Sequence, residues 1–255
     1  MRFRLAVLLA LTPLLSTPAA ALDSALYARL LQQHTRAVDD LAGVRVDYAA
    51  LKRSAPWRQL VDGLADFDLD TLAGGEEKLA FWINVYNVLA IDTVVRSWPV
   101  ESIRDVGSLF SPVWKREAGR VGGRAVSLDE IEHDIVRPMG DPRVHAAVVC
   151  ASTSCPSLRR EPFEATRLDA QLDDAMRRWM AAPGKGLRVD RAAGSVWLSK
   201  IFDWFPEDFE VAGGVLAFAT RYAPAAEREW LSSRAGAPRV RFMDYDWGVN
   251  ALGTP

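Results

Sequence analysis

The chain has 255 residues, with 31 basic and 33 acidic side chains, three histidines and a formal charge of -2. Its charges are spread without long runs of one sign, which excludes a polybasic nucleic-acid surface. Two cysteines exclude a disulfide-stapled scaffold, so the core has to come from apolar packing, which the aliphatic runs and nine tryptophans supply.

Arg2 and Arg4 form a basic head, Leu5 to Leu15 an apolar stretch, and Ala19, Ala20 and Ala21 a small-residue cleavage site, the pattern of a secretory signal. The apolar stretch is shorter than the roughly 20 residues that span a bilayer. Cleavage after Ala21 leaves 22–255, expected to be a periplasmic or secreted single domain with no transmembrane segment. Removing Arg2 and Arg4 leaves 29 basic residues against 33 acidic, a charge of -4. No linker, repeat or low-complexity tract divides this span.

Asp23 and Ser24 are caps for a first helix reaching about Val38, and "GVRVDYAAL" reads as a short strand or turn. The longest strongly apolar stretch is "EEKLAFWINVYNVLAIDTVVRSW", residues 76 to 98, with two acids at its start and Pro99 after its end. Leu79, Trp82, Ile83, Tyr86, Ala90 and Val94 recur at helical spacing, so it is expected to be a central helix. Asn84 and Asn87 lie inside it. A buried amide without partners costs roughly 1–3 kcal/mol, so both require specific ones.

The Gly122-Gly123 pair marks a hairpin. Ser127 with Glu130 forms a capping box for a short helix from Leu128 to about Arg137, closed by Pro138. Leu128, Ile131 and Ile135 form its apolar stripe, with Glu132 at the edge and His133 further round. "VHAAVVC" suits a strand buried on both faces. A helix from about Thr166 to Met180, a hairpin around Gly194, a helix in "GGVLAFATRYAP" and a terminal strand in "RVRFMDYDW" complete the pattern. Strands and helices do not alternate steadily, which gives an α+β class: a mixed sheet with hairpins against the central helix and several shorter helices.

His34 sits among polar neighbours and reads as surface, whereas His133 and His145 flank the segment that holds both cysteines. A thiolate nucleophile needs a histidine to manage its proton, a third group to hold the imidazole, and donors for the oxyanion. Cys155 precedes Pro156, which favours the first turn of a helix, so Cys155 is the preferred nucleophile at an expected N-cap. His145 or His133 would exchange protons, and Glu132, Asn84 or Asn87 would orient the ring. On a regular strand His145 and Cys150 would lie about 16 Å apart on opposite faces, which bars a direct dyad between them.

The competing reading is a Cys150–Cys155 disulfide clamping a turn, favoured by an oxidising compartment. The spacing is not C-x-x-C, so thiol-disulfide catalysis is the weaker idea. A metal held by His133, His145, Glu132 and the thiols would lack any standard zinc spacing. No phosphate loop, serine elbow or HExxH is present, and no cofactor is expected. Trp197, Trp204 and Trp247 read as core rather than as a sugar-stacking platform, and "FDWFPEDF" as a structural corner.

The ordered set "VDYAAL", "FWINVYNVLAI", "SLDEIEHDIV", "DPRVHAAVVCASTSCPSL", "LSKIFDWFPEDF" and "DYDWGVN" resembles the family catalogued as domain of unknown function 547, from about residue 45 to 250. The resemblance implies a single α+β domain, found in exported bacterial proteins and as a C-terminal module in plant proteins, with no assigned reaction. Its motifs include Asn84, Tyr86, Asn87, Glu132, His133, His145 and both cysteines, all present in this chain. Papain-like hydrolases with histidine before cysteine offer a fold-level analogy. Two functions are expected from these residues. One is a cysteine-dependent hydrolase or acyltransferase acting on an amide or ester of a small-molecule or peptide substrate in the cell envelope. The other is a non-catalytic periplasmic binding module with a structural disulfide.

Overall fold

The computed structural model describes residues 22–108 and 110–253, so the secretory signal expected at 1–21 lies outside the described residues. Asp23 caps helix α1 (Ser24–His34), its carboxylate accepting the Leu26 amide at 2.7 Å. The helix stops short of Val38 because strand β1 (Thr35–Ala37) leaves it to pair antiparallel with β2 (Val44–Val46). Asp47 caps α2 (Tyr48–Arg53), which makes "GVRVDYAAL" part strand and part helix. Ser54 then caps α3 (Ala55–Gly63).

The central helix is α4 (Gly75–Ser97), and its first turn is closed by Glu77, whose carboxylate accepts the Ala73 amide at 2.9 Å. It is long and apolar enough to cross a membrane, yet 94% of its most apolar window is buried inside the protein. A helix apolar all round belongs in a core, and this one is surrounded by packed side chains. The hairpin β3 (Glu117–Val121) and β4 (Arg124–Ser127) turns at Gly122 and Gly123, at φ 56° and 76°, where only glycine is unstrained. Gly119 lets this hairpin lie against α4, since a Cβ there would come 2.6 Å from Leu89.

Ser127 Oγ accepts the Glu130 amide at 3.0 Å and starts α5 (Leu128–Glu130), which widens into a π-helical turn (Ile131–Val136) and a 3₁₀ turn (Arg137–Met139). "VHAAVVC" is buried as expected but is not a strand: a 3₁₀ turn (Pro142–Ala146) leads into irregular backbone. The physical reason is on α4. Asn87 donates to the Ala147 carbonyl at 2.9 Å and accepts the Val149 amide at 2.8 Å, supplying the partners that a neighbouring strand would otherwise provide. Asn84 does the same for one residue further along the chain, donating to the Phe163 carbonyl at 2.8 Å and accepting its amide at 2.9 Å.

After α6 (Leu168–Met180), strands β5 (Leu187–Asp190) and β6 (Ser195–Leu198) form the second hairpin. Helices α7 (Ile201–Trp204), α8 (Val215–Tyr222) and α9 (Ala225–Ser233) follow, and β7 (Arg239–Phe242) joins β6 in parallel. The α+β class therefore holds, but the strands form a three-stranded mixed sheet and two separate hairpin ribbons instead of one sheet. Apolar side chains fall into two clusters, one around α4 and one around Trp179, Phe202 and Phe209. The segment 144–149 runs along their seam: Val144, Ala147, Val148 and Val149 belong to the first and Ala146 to the second.

Replacing Asn87 with Ala orphans a buried carbonyl and a buried amide at once. The expected loss is on the order of 2–4 kcal/mol in urea unfolding; a loss below about 1 kcal/mol would show that the irregular segment holds itself.

Candidate functional site

Cys150 and Cys155 are joined by a disulfide with Cα atoms 6.3 Å apart, and no free cysteine occurs among the described residues. The helix expected after Pro156 is absent; residues 156–159 are irregular, so no helix field acts on Cys155. Within the bridged loop Ala151 takes φ 62°, a left-handed conformation that costs a non-glycine residue roughly 1–2 kcal/mol. The C-terminal segment holds the loop in place. Thr153 donates its amide to the Gly248 carbonyl at 2.7 Å, and the Asn250 amide donates to the Ala151 carbonyl at 3.0 Å. The Tyr245 hydroxyl lies 3.3 Å from Cys150 Sγ and 3.1 Å from Cys155 Sγ. Burial raises the Tyr245 phenol pKa, so it stays protonated and donates to sulfur.

The bridge forms part of the wall of a cavity of about 150 Å³. Glu132, His133, His145, Cys150 and Cys155 all line it, five of the seven residues singled out from the sequence, and Asn87 does not, being engaged by Ala147 and Val149. Asn84 does not, because both ends of its amide are engaged by Phe163. The irregular backbone after Ala146 is what brings His145 and Cys150 to the same cavity, which a regular strand would have forbidden.

His145 is buried against the Phe205 ring, stacked at 5.0 Å, and its Nε2 lies 2.6 Å from Asp208 Oδ2. Asp208, not Glu132 or an asparagine, is therefore the group that orients this imidazole. Burial works to raise the Asp208 pKa, but hydrogen bonds from His145 and Arg137 outweigh it and hold the carboxyl well below the usual range. With Nε2 committed to the carboxylate, Nδ1 is the ring nitrogen left without a hydrogen bond among the described residues, and the ring lines the cavity.

Arg137 organises the second histidine. Its guanidinium grips Asp208 at 2.6 and 2.9 Å, Glu207 at 2.6 Å, and reaches His133 Nδ1 at 2.9 Å. Arginine only donates, so His133 accepts at Nδ1 and the neutral ring carries its proton on Nε2, 3.8 Å from Asp129. Neighbours one residue apart on an α-helix diverge by about 100°. The π-helical turn, a feature often found at functional sites, lets adjacent Glu132 and His133 both reach the cavity. Among the described residues Glu132 makes no hydrogen bond to either imidazole. Its Oε2 accepts the buried Tyr86 hydroxyl at 2.9 Å, and burial, then the Glu132 charge, pushes the Tyr86 phenol far up.

Trp204 and Trp247 line the cavity and stack on each other at 5.5 Å, and Trp197 is only half-buried on β6 outside both apolar clusters, which corrects the reading of all three as core. "FDWFPEDF" likewise is more than a corner: it supplies Trp204 and Phe205 to the wall and Asp208 to His145. The signal for Asp208 was an acid placed among aromatics after Pro206. Arg137 left no comparable trace. Among the described residues no three His, Cys, Asp or Glu side chains gather as a metal site.

Asp208→Asn should weaken the fold by about 1.5–3 kcal/mol near neutral pH, since it breaks charge-assisted hydrogen bonds to two groups. Because the folded-state pKa is depressed, that contribution is complete above the ordinary carboxylate pKa of about 3.9 and disappears as pH falls through the lower folded value. Urea unfolding across an acid pH series should show the gap between wild type and variant closing; a gap constant with pH would contradict this assignment.

The family model described as "Protein of unknown function, DUF547" matches residues 69–180. The match takes in α4, Glu132, His133, His145 and both cysteines, and ends before Trp204, Asp208 and Tyr245. No curated protein matches the chain, and no solved structure does. Over residues 69–180 the chain is accordingly similar to the DUF547 family, whose description assigns no function.

Proposed function

We propose that this protein is exported to the cell envelope and binds a small organic molecule or peptide in the cavity beside the Cys150–Cys155 bridge. The observation that carries the reading is the bridge itself, which forms wall in a preformed pocket whose other lining is largely aromatic. Pockets with apolar walls and a few fixed polar groups are the usual form of small-molecule sites. The basic, apolar and small-residue pattern of the first 21 residues supports export, as does a disulfide, which persists in oxidising compartments.

Binding is tested by a ligand-observed NMR screen of fragments and short peptides against the oxidised protein. Hits are expected to lose affinity at least tenfold in Trp204→Ala. A screen without hits, or hits indifferent to that change, removes the reading. Titration of thiols under denaturing, non-reducing conditions should find none in the protein isolated from the periplasm, and two per chain would refute the bridge. Reduction closes off a short loop constraint worth about 2 kcal/mol, so a dithiol should lower the unfolding midpoint accordingly.

A second reading is favoured by the Asp208–His145 pair, whose imidazole lines the same cavity as the cysteines. An external dithiol would reduce the bridge by two electrons and itself become a disulfide, freeing both thiols. The imidazole would then take a cysteine proton, the thiolate would attack an ester or amide carbonyl, and the protonated ring would return the proton to the leaving alcohol or amine. Water would hydrolyse the resulting thioester. Reduced protein should label with a thiol-directed acyl probe, and His145→Ala should slow labelling about 100-fold or more. Failure of Cys155→Ala and Cys150→Ala to abolish labelling, or no labelling at all, eliminates this chemistry.

A further inference from the structure

We infer that the ligand of the cavity carries an organic ammonium group, primary or quaternary, which sits between the aromatic wall and the Glu132 carboxylate. The inference rests on the cavity being a binding site, as proposed above, and names the class of what it takes.

Three acids beside the site have a cation or an imidazole: Asp208 has Arg137 and His145, Glu207 has Arg137, and Asp129 has His133. Glu132 has none among the described residues. Its single hydrogen bond comes from Tyr86, a neutral phenol, and that bond occupies Oε2. Oε1 is left without a hydrogen-bond partner among the described residues, on a side chain that lines the cavity. Glu132 is also the only carboxylate, and no lysine or arginine is found, among the residues lining that cavity. The walls hold a half-buried negative charge that the protein does not neutralise, a situation that favours uptake of a cation.

The rest of the wall suits the same guest. Six lining residues besides the histidines are aromatic, and ring faces attract ammonium groups through their quadrupole, as in aromatic cages for quaternary amines. Two of these rings already accept cations from the protein: Arg137 lies over Phe205 at 4.5 Å and Arg104 over Trp247 at 5.3 Å. Arg104 belongs to the neighbouring depression and Arg137 is occupied by Asp208 and Glu207, so neither supplies Glu132 with its counter-charge. A cavity of about 150 Å³ is the size that takes one benzene, which matches a trimethylammonium head or an alkylammonium end.

The test compares isosteres. Choline and 3,3-dimethylbutan-1-ol have the same shape and differ in charge, and both are titrated at constant ionic strength by calorimetry and by tryptophan fluorescence, with butylammonium as a primary amine. Wild-type protein should bind choline or butylammonium saturably and the neutral alcohol at least tenfold more weakly, and Glu132→Gln should abolish the difference. Equal affinity for cation and neutral isostere in the wild type, or ammonium binding unchanged in a folded Glu132→Gln, overturns the inference. The first comparison needs no variant, so it stands even if the substitution unfolds the chain. If neutral fragments occupy the cavity and no ammonium probe does, the cation assignment fails while the binding reading survives; if nothing binds, both fail.

Discussion

The fold turns on two asparagine side chains in a helix that is otherwise grease. Asn87 and Asn84 each offer one donor and one acceptor to buried backbone that has no strand beside it. Backbone polar groups taken out of water must be paired, and helices and sheets are the usual way to do it. Here α4 does it with side chains, so the chain from Ala147 to Val149 can stay irregular in the middle of the core. That irregularity carries His145 to one side of the seam between the two apolar clusters and the disulfide to its end, with both opening on one cavity.

The cavity is assembled from six stretches far apart in the chain, one of them the turn that carries Trp114. Tyr86 comes from α4, Glu132 and His133 from the π-helical turn, the bridge from residues 150 to 155, Trp204 and Phe205 from the end of α7 and the turn after it, and Tyr245 and Trp247 from the C-terminal segment. The C-terminal segment does double duty. It pairs with the bridged loop through Thr153 and Ala151, and it lays Tyr245 over both sulfurs. The left-handed Ala151 is held in that conformation by the bridge on one side and the Asn250 contact on the other, so local backbone strain persists next to the cavity, a common place for it.

Electrostatically the site has two halves. One is a closed network in which Arg137 ties Asp208, Glu207 and His133 together and Asp208 fixes the His145 ring. The other is the Tyr86–Glu132 pair, hydrogen-bonded but not charge-compensated. The first half needs nothing from outside the protein, and the second is where a ligand has something to add.

Much of this was legible beforehand, because local signals are physical. The capping residues Asp23 and Ser127, the paired glycines 122 and 123, and the apolar run before Pro99 each act within a few residues, and their elements formed where those signals lie. Clustering of Glu132, His133, His145 and the cysteines in sequence also pointed to the region of the cavity. What sequence alone determined was therefore the class of fold, the central helix and most of the polar contents of the site. Only the tertiary structure decided that "VHAAVVC" is not a strand, that the cysteines bridge, that Asp208 rather than Glu132 holds the imidazole, and that Trp204 and Trp247 face a cavity. The contacts behind them include pairs 62 to 95 residues apart: Asn87 with Val149, Asp208 with His145 and Tyr245 with Cys150. No periodicity or spacing reports a contact of that range, since it exists only once the two cores have packed and brought the segments together.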